Sequence, residues 1–258
     1  MPAIMESSFT RQPVIFRDLG LIGYQEAWDY QEYLLQQNVK VKSAAYATAS
    51  GQGSTCDERS REVPWDTLHH LLLCEHSPVF TLGKSGQMAH LLVNEQQLAE
   101  KGISFYRTNR GGDITFHGPE QIVGYPILDL EKFFRDIGRY LRSLEEVIIR
   151  TIAEYGIRGE RSPGETGVWI APQNVHKARK ICAMGVRCSR WITMHGFALN
   201  VNIDLSYFDH IIPCGIQGKQ VTSIERELGH TVSIEEVKEK LKHHFEEVFR
   251  VDLRDASL

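Results

Sequence analysis

Hydrophobic and polar positions change period several times along the chain, and each change marks an element. Residues 13–19, PVIFRDL, alternate and predict a strand. From Leu21 to Val39, the side chains Tyr24, Ala27, Trp28, Leu34 and Leu35 recur at helical spacing, which predicts an amphipathic helix with one buried face. The pattern then lapses. Residues 42–64 are small, polar and rich in Ser, Gly and Ala, and predict a mobile, lid-like insertion in which Cys56 is an incidental exposed thiol.

Beyond it, an apolar run at Leu68–Leu73 precedes a strand at Pro78–Leu82 and a turn at Gly83–Gly86. A short helix at Asn94–Lys101 ends at Gly102, and Ile103–Thr108 is another strand. Asp113–Phe116 alternates, His117-Gly118-Pro119 turns, and Gln121–Leu128 is apolar enough for a buried strand. Asp136–Tyr155 repeats apolar residues at helical spacing up to Gly156, and Gly167–Ile170 forms a short buried strand with Trp169 in the core. Val221–Leu228 is a short helix, and Ser233 and Glu236 have capping-box spacing for a final helix with an Ile234, Val237, Leu241, Phe245, Val248 stripe. His76 is structural, Lys84 is solvated, and His243 and His244 beside the last stripe make a poor metal pair. No internal repeat interrupts this order, and 258 residues can bury a full core as one α/β domain or two closely packed ones.

Composition narrows the function. A net charge of −4 argues against a general nucleic-acid binder. Five cysteines without a CxxC pair fit neither a disulfide framework nor a zinc site, and free thiols in a reducing cytoplasm fit best. The N-terminus has no signal or transit pattern, and no apolar run reaches membrane-spanning length. Between Thr166 and Ile203 there is no Asp or Glu, whereas Lys177, Arg179, Lys180, Arg187 and Arg190 all fall inside. That is either an electropositive region that steers acidic partners or a set of ordinary solvated bases.

Two stretches carry candidate chemistry. In Arg179–Ile216, Lys180 heads the apolar run ICAMGV and Cys214 stands between Pro213 and Gly215. A free thiol is only slightly ionised at neutral pH. An ammonium ~4 Å away at an effective dielectric of ~20 attracts the thiolate by roughly 4 kcal/mol before desolvation, enough to activate it. The pair predicts an acyl transferase working through a cysteine thioester. In Arg110–Leu130, Gly111-Gly112 lets the backbone turn and press against a ligand, flanked by Arg110 and His117. Adjacent glycines alone would equally mark a hairpin.

Together these pieces resemble the octanoyltransferases of lipoate synthesis, also called lipoate–protein ligase B. The resemblance is carried by HSPVFTLG at 76–83, RGGDITFHGPEQIVGYPILDL at 110–130, GVWI at 167–170, KICAMGVR at 180–187, MHGFALNVNIDL at 194–205 and IIPCGI at 211–216. It implies one catalytic domain over residues 1–258 with an α/β (α+β) fold of mixed β-sheets packed with helices, like the catalytic domain of biotin and lipoate protein ligases. It also implies transfer of an octanoyl or lipoyl group from acyl carrier protein to a lipoyl-domain lysine. Cys214 would be the nucleophile and Lys180 the residue that lowers its pKa. Substrate contacts would come from Arg110, Gly111, Gly112, Asp113, Ile114, Thr115, Phe116 and His117, from Ala183, Met184 and Gly185, and from Gly196, Phe197 and Ala198.

Cys182 is not the matching nucleophile and reads as a small buried side chain. The acceptor lysine would lose its proton to Lys180 or His117. No cofactor and no metal are implied, because the octanoyl group arrives on the phosphopantetheine of its carrier. The implied partners are octanoyl-acyl carrier protein, lipoyl domains of 2-oxoacid dehydrogenase E2 subunits and the glycine cleavage H protein. No nucleic acid or membrane is involved, and the chain would be a cytoplasmic monomer. Glu120 stands where this family often has glycine, which puts the geometry of that turn in question. The rival readings are an ATP-dependent lipoate or biotin protein ligase on the same fold, a cysteine hydrolase pairing Cys214 with His117 or His195, and a non-catalytic binding module.

Overall fold

The structure is a computed structural model, and it describes residues 11–50, 65–212 and 220–256. Its elements follow in chain order as β1 (Gln12–Ile22), α1 (Tyr24–Ser50), β2 (His69–His76), β3 (Val79–Leu82), α2 (Glu95–Glu100), β4 (Ser104–Arg107), β5 (Ile114–His117) and β6 (Gln121–Ile127). Then come α3 (Ile137–Ala153), β7 (Val168–Ile170), β8 (Arg179–Ser189), β9 (Ile192–Asn200), β10 (Gln220–Val221), α4 (Ile224–Leu228), α5 (Ile234–Phe249) and β11 (Val251–Asp255).

The large sheet has the strand order β10-β8-β9-β6-β2-β1-β11, with β7 paired to β8. Its pairings are mixed: β1 runs parallel to β2 and β11, whereas β6, β8 and β9 pair antiparallel. Alternation along the strands decides which face each side chain covers. On β2, Leu71 and Leu73 point into the core that α3 and α5 cover, while Leu72 and Cys74 point into the core under α1. The second sheet, β4-β3-β5, closes a third core around Phe80, Phe116, Phe208 and Ile211.

Local signals fix the helix ends. The side chains of Asp136 and Ser233 accept from the backbone N–H of Arg139 and Glu236, capping α3 and α5. On α3 the stripe Tyr140, Leu144, Val147, Ile148 and Ile152 is fully buried. Among the described residues, no helix is long and apolar enough to cross a membrane.

Two expectations change. The helix α1 continues through Ser50, so the loop expected from Lys42 does not begin there. Lys42 is buried, with Nζ 2.8 Å from Asp129 Oδ1 and 2.5 Å from Glu131 Oε2, and it also donates to the carbonyl of Arg190. Two carboxylates compensate the buried ammonium, and that long-range pairing carries the helix on where the apolar pattern fades. The rest of the expected insertion, with Cys56, lies outside the described residues. Val221 belongs to the strand β10, not to a helix: the Ser223 hydroxyl caps α4 two residues later.

Glu120 adopts φ +64°, the left-handed conformation that favours glycine. It is held there by its N–H donating to Glu75 Oε2 (2.7 Å) and by its carboxylate accepting from Asn202 Nδ2 (2.6 Å). The turn therefore forms in spite of the non-glycine residue.

Candidate active site

β8 and β9 pair in a register that sets Ala183 opposite Ala198, Met184 opposite Phe197 and Gly185 opposite Gly196. Two stretches singled out separately in the sequence are thus one patch of sheet. The glycine loop lies across this patch, where Gly111 N–H donates to the carbonyl of Val186 at 3.0 Å. Such close approach needs a bare strand: a Cβ added at Gly185 would stand 2.5 Å from the carbonyl oxygen of Gly111. Gly112 supplies the turn itself at φ +86°.

Between this patch, the strands β5 and β6 and the loop at 164–166 is a cavity of about 590 Å³. Its lining includes Lys180 and thirteen of the fourteen expected substrate contacts: Arg110 to Thr115, His117, Ala183 to Gly185 and Gly196 to Ala198. Phe116 is the exception. Its ring is fully buried in the third core and stacks on Tyr207 with centroids 4.4 Å apart, because alternation along β5 turns it away from its neighbour His117.

Arg110 holds the loop in shape. Its Nη1 donates to the Gly111 carbonyl, and its Nη2 to the carbonyls of Thr81 and Asp113 and to Thr81 Oγ1 at 2.7–3.0 Å. His117 is fixed from both sides. Its Nδ1 lies 2.9 Å from Gln121 Oε1, so Nδ1 carries the proton, and Nε2 lies 3.3 Å from the Thr81 hydroxyl. The Gln121 amide then donates to Asn200 Oδ1 (2.8 Å) and to the Phe116 carbonyl (3.2 Å). Burial first, then the charges of neighbouring His76 and Arg110, holds the His117 pKa well below its usual value. His117 is a neutral, doubly engaged imidazole, so the expectation that it takes the acceptor's proton is withdrawn.

His195 is also buried, with Nε2 2.7 Å from Asn109 Oδ1, and burial, with Arg110 and Arg187 nearby, lowers its pKa to about 3. Tyr24, at the start of α1, contributes a ring parallel to His117, and burial raises its phenol to about 12.

Lys180 lies at the other end of β8. Its Nζ sits over the Trp169 ring, 4.6 Å from the centroid, and β10 runs beside it with Val221 paired to Lys180. Gly167 packs against the same side chain and is held by its N–H donating to Glu145 Oε1 at 3.0 Å. Glu145 is buried within α3, bound by Arg142 and Arg161, and desolvation raises its pKa.

Cys214 lies outside the described residues, as do its neighbours from 213 to 219. The chain on either side is placed: Ile212 N–H donates to the His90 carbonyl at 2.8 Å, and Gln220 pairs with Arg179. Cys182, buried beside Lys180, has its thiol pKa pushed up by desolvation, as expected of a packing residue.

Other expectations fare differently. Two of the five bases of the basic stretch are neutralised in place: Arg179 makes a bidentate pair with Glu227, and Arg187 Nη1 lies 2.7 Å from Glu32 Oε2. A field steering acidic partners therefore does not follow from those two residues. Among the described residues, no group of three or more His, Cys, Asp or Glu side chains is placed to hold a metal ion. Tyr24, Gln121, Tyr125, Asn200 and Glu165 line the cavity, although the sequence pointed to none of them as a site residue. For Gln121 a signal existed: a lone amide heading the apolar strand QIVGYPI has to satisfy its hydrogen bonds inside the protein.

The profile of the lipoyl protein ligase A/B catalytic domain matches residues 23–246. The chain is 55% identical over 241 residues to the octanoyltransferase of Christiangramia forsetii, covering 92% of this chain and 96% of that one. With the octanoyltransferase of Cytophaga hutchinsonii the identity is 50% over 252 residues, covering 96% and 97%. Among solved structures, the bipartite lipoate protein ligase from Thermoplasma acidophilum aligns with a TM-score of 0.65 at 17% identity, over 96% of this chain and 88% of that one. A lipoate-protein ligase A bound with ATP aligns with a TM-score of 0.63 at 15% identity, over 96% and 89%. At those identities the structural likeness concerns the fold alone.

Proposed function

We propose a mechanism from one premise: the chain belongs to the octanoyltransferase family, within the lipoyl protein ligase A/B catalytic domains. It is an acyltransferase that moves octanoyl groups in lipoate biosynthesis. In our reading the donor is octanoyl-acyl carrier protein, and the acceptors are lysines of lipoyl domains on 2-oxoacid dehydrogenase E2 subunits and the glycine cleavage H protein. The enzyme works as a cytoplasmic monomer with no cofactor of its own, since the acyl group arrives on phosphopantetheine.

Cys214 is the nucleophile, paired with the Lys180 ammonium. Its thiolate attacks the thioester carbonyl, and collapse of the tetrahedral intermediate expels the pantetheine thiolate, which takes a proton from Lys180. The octanoyl group then waits on Cys214 with its chain over the patch of Ala183 to Gly185 and Gly196 to Ala198. Burial there contributes roughly 0.8 kcal/mol per methylene. Neutral Lys180 next takes a proton from the incoming lysine ammonium. The resulting amine attacks the thioester, a second proton goes to solvent, and the amide leaves as Cys214 returns to thiolate. The donor is already activated, so no ATP is consumed.

The observation that carries this reading is that Lys180 and the paired patch 183–185/196–198 share one cavity. Re-entry of the chain at Val221, paired with Lys180 and seven positions after Cys214, supports the assignment of the nucleophile.

The test is intact-mass spectrometry after incubation with octanoyl-acyl carrier protein. The expected result is an octanoyl adduct on Cys214 without ATP, none in Cys214→Ala, and slow acylation in Lys180→Ala that recovers at alkaline pH. Transfer that requires ATP and leaves Cys214 unmodified would favour the ligase alternative and overturn the mechanism.

A further inference from the structure

The reaction above passes twice through a tetrahedral intermediate, and in both the former carbonyl oxygen carries the negative charge. Such an oxyanion is stabilised by a donor already aimed at it from beside the reacting groups. The strand register brings one candidate to the Lys180 end of the cavity. Val168 pairs with Cys182 but Trp169 pairs with Lys180, so Ile181 is an extra residue, a bulge in β8. Ile181 and Cys182 both enter the core that α3 and α5 cover, and Lys180 turns to the cavity. On β9, Leu199 faces Cys182, and the next residue, Asn200, also lines the cavity. Thr222 joins the two strands: its N–H donates to the Lys180 carbonyl at 2.9 Å, and its own carbonyl accepts from Asn200 Nδ2 at 2.9 Å.

The partners of Asn200 also decide which way round its amide stands. A carbonyl can only accept, so the group facing Thr222 is the NH2. Oδ1 then faces Gln121, which donates to it at 2.8 Å and gives its other hydrogen to the Phe116 carbonyl. Gln121 Oε1 is held in turn by His117 Nδ1. Asn200 Nδ2 carries a second hydrogen, and among the described residues no acceptor takes it. The residue is only 4% exposed. A buried donor is costly unless something accepts from it, and here the open side is the cavity.

We infer that Asn200 is an oxyanion donor: its second Nδ2 hydrogen binds the thioester carbonyl oxygen and holds it more strongly as that oxygen gains charge. This rests on the acyl-enzyme reading of the preceding subsection. The oxygen stays on the octanoyl carbonyl carbon throughout, so one contact serves both the attack by Cys214 and the attack by the acceptor lysine. No proton is transferred, and the charge leaves the oxygen as each thiolate departs.

The test compares reactions of Cys214 that do and do not build an oxyanion. Asn200→Ala removes the amide, and Asn200→Asp keeps its outline and the oxygen for Gln121 but replaces the donor by a charge; each is assayed below its melting temperature. Acylation by octanoyl-acyl carrier protein should fall about 100-fold in Asn200→Ala, the value of one oxyanion donor. The loss should appear in kcat with KM little changed, and discharge of the acyl-enzyme to a lipoyl domain should fall by a similar factor. Asn200→Asp should be slower still, because a carboxylate repels the oxyanion. Alkylation of Cys214 by iodoacetamide displaces iodide from a saturated carbon, so Asn200→Ala should keep the wild-type rate and pH profile. Alkylation that falls as far as acylation would make Asn200 a support for the Cys214–Lys180 pair. Faster transfer by Asn200→Asp than by Asn200→Ala would mean that only its shape matters, and near-wild-type acylation in Asn200→Ala would place the donor elsewhere. Each of these three results overturns the inference. A wild-type enzyme that never becomes acylated overturns the preceding reading, and this one with it.

Discussion

Replacing Gly185 by alanine tests whether the glycine loop is seated by contact with β8. The added Cβ would lie 2.5 Å from the Gly111 carbonyl oxygen and 3.3 Å from Arg110 Cδ, where ordinary contact begins near 3.4 Å. The strand is pinned to β9 by the Gly185–Gly196 register, so the loop must yield by most of an ångström. That movement strains the 3.0 Å hydrogen bond from Gly111 to Val186, worth about 1 kcal/mol net. Overpacking adds roughly 1–3 kcal/mol. Total destabilisation should be about 2–4 kcal/mol, which lowers the melting temperature by several degrees in a protein of this size. The functional effect should be larger, because a misplacement of ~1 Å at a catalytic surface costs on the order of 100-fold in rate. Octanoyl transfer measured where the variant is still folded separates the two effects. A Gly185→Ala enzyme with wild-type turnover and melting temperature would refute the seating argument.

Three further outcomes follow from the described contacts. Lys42→Met should destabilise the fold by about 3–5 kcal/mol, because it leaves the buried carboxylates of Asp129 and Glu131 without their shared cation, and chemical denaturation measures it. Glu120→Ala should cost about 1 kcal/mol by keeping a left-handed backbone while losing the Asn202 contact, whereas Glu120→Gly should be more stable than Glu120→Ala; a melting series in the opposite order contradicts the turn assignment. The pKa values of His69, His70 and His195 are lowered to about 4, 4 and 3 by burial, so the unfolded chain binds more protons below the unfolded value. Stability should therefore fall as pH drops below about 6.5, with each group contributing about 1.4 kcal/mol by pH ~5.5. A flat urea midpoint across that range would count against it.

How much of this was legible depended on how far each signal reached along the chain. The stripe of α3 and the alternation of β2 are local patterns, and they matched the buried faces. The segments around 110–117, 183–185 and 196–198 were legible as separate pieces of chemistry, but only the β8–β9 register makes two of them one surface. Lys42–Ser50 was misread because its helix is held by Asp129, 87 positions away, and not by its own apolar spacing. The side of β5 that Phe116 faces was available from period-two alternation, since Phe116 packs in the third core while its neighbours Thr115 and His117 line the cavity; Ile114, which opens the strand, reaches both. The role of Glu145 was not legible, because two of its partners, the Gly167 N–H and Arg161, lie 22 and 16 positions further along the chain.

The histidines bear on why such a site would transfer an acyl group and not hydrolyse it. A cysteine hydrolase needs a base with a pKa near the working pH to activate water beside the thioester. Among the described residues the cavity is lined by two histidines, His117 and His195. The first has both ring nitrogens engaged, by Gln121 and Thr81, and burial disfavours its charged form. The second is held near a pKa of 3, so at neutral pH its free lone pair is a weak base. Nearby, His76 has Nδ1 2.8 Å from the Ile22 carbonyl and Nε2 2.7 Å from the Tyr125 hydroxyl, which leaves it committed as well. Water entering the cavity meets no imidazole able to activate it. An amine needs less help, because once it has given up a proton it is itself a strong nucleophile. The same burial that makes these imidazoles useless as bases would then protect a thioester until a lysine arrives. Replacing Thr81 or Gln121 to free His117 should raise the release of free octanoate relative to amide formation, and an unchanged ratio would remove this explanation.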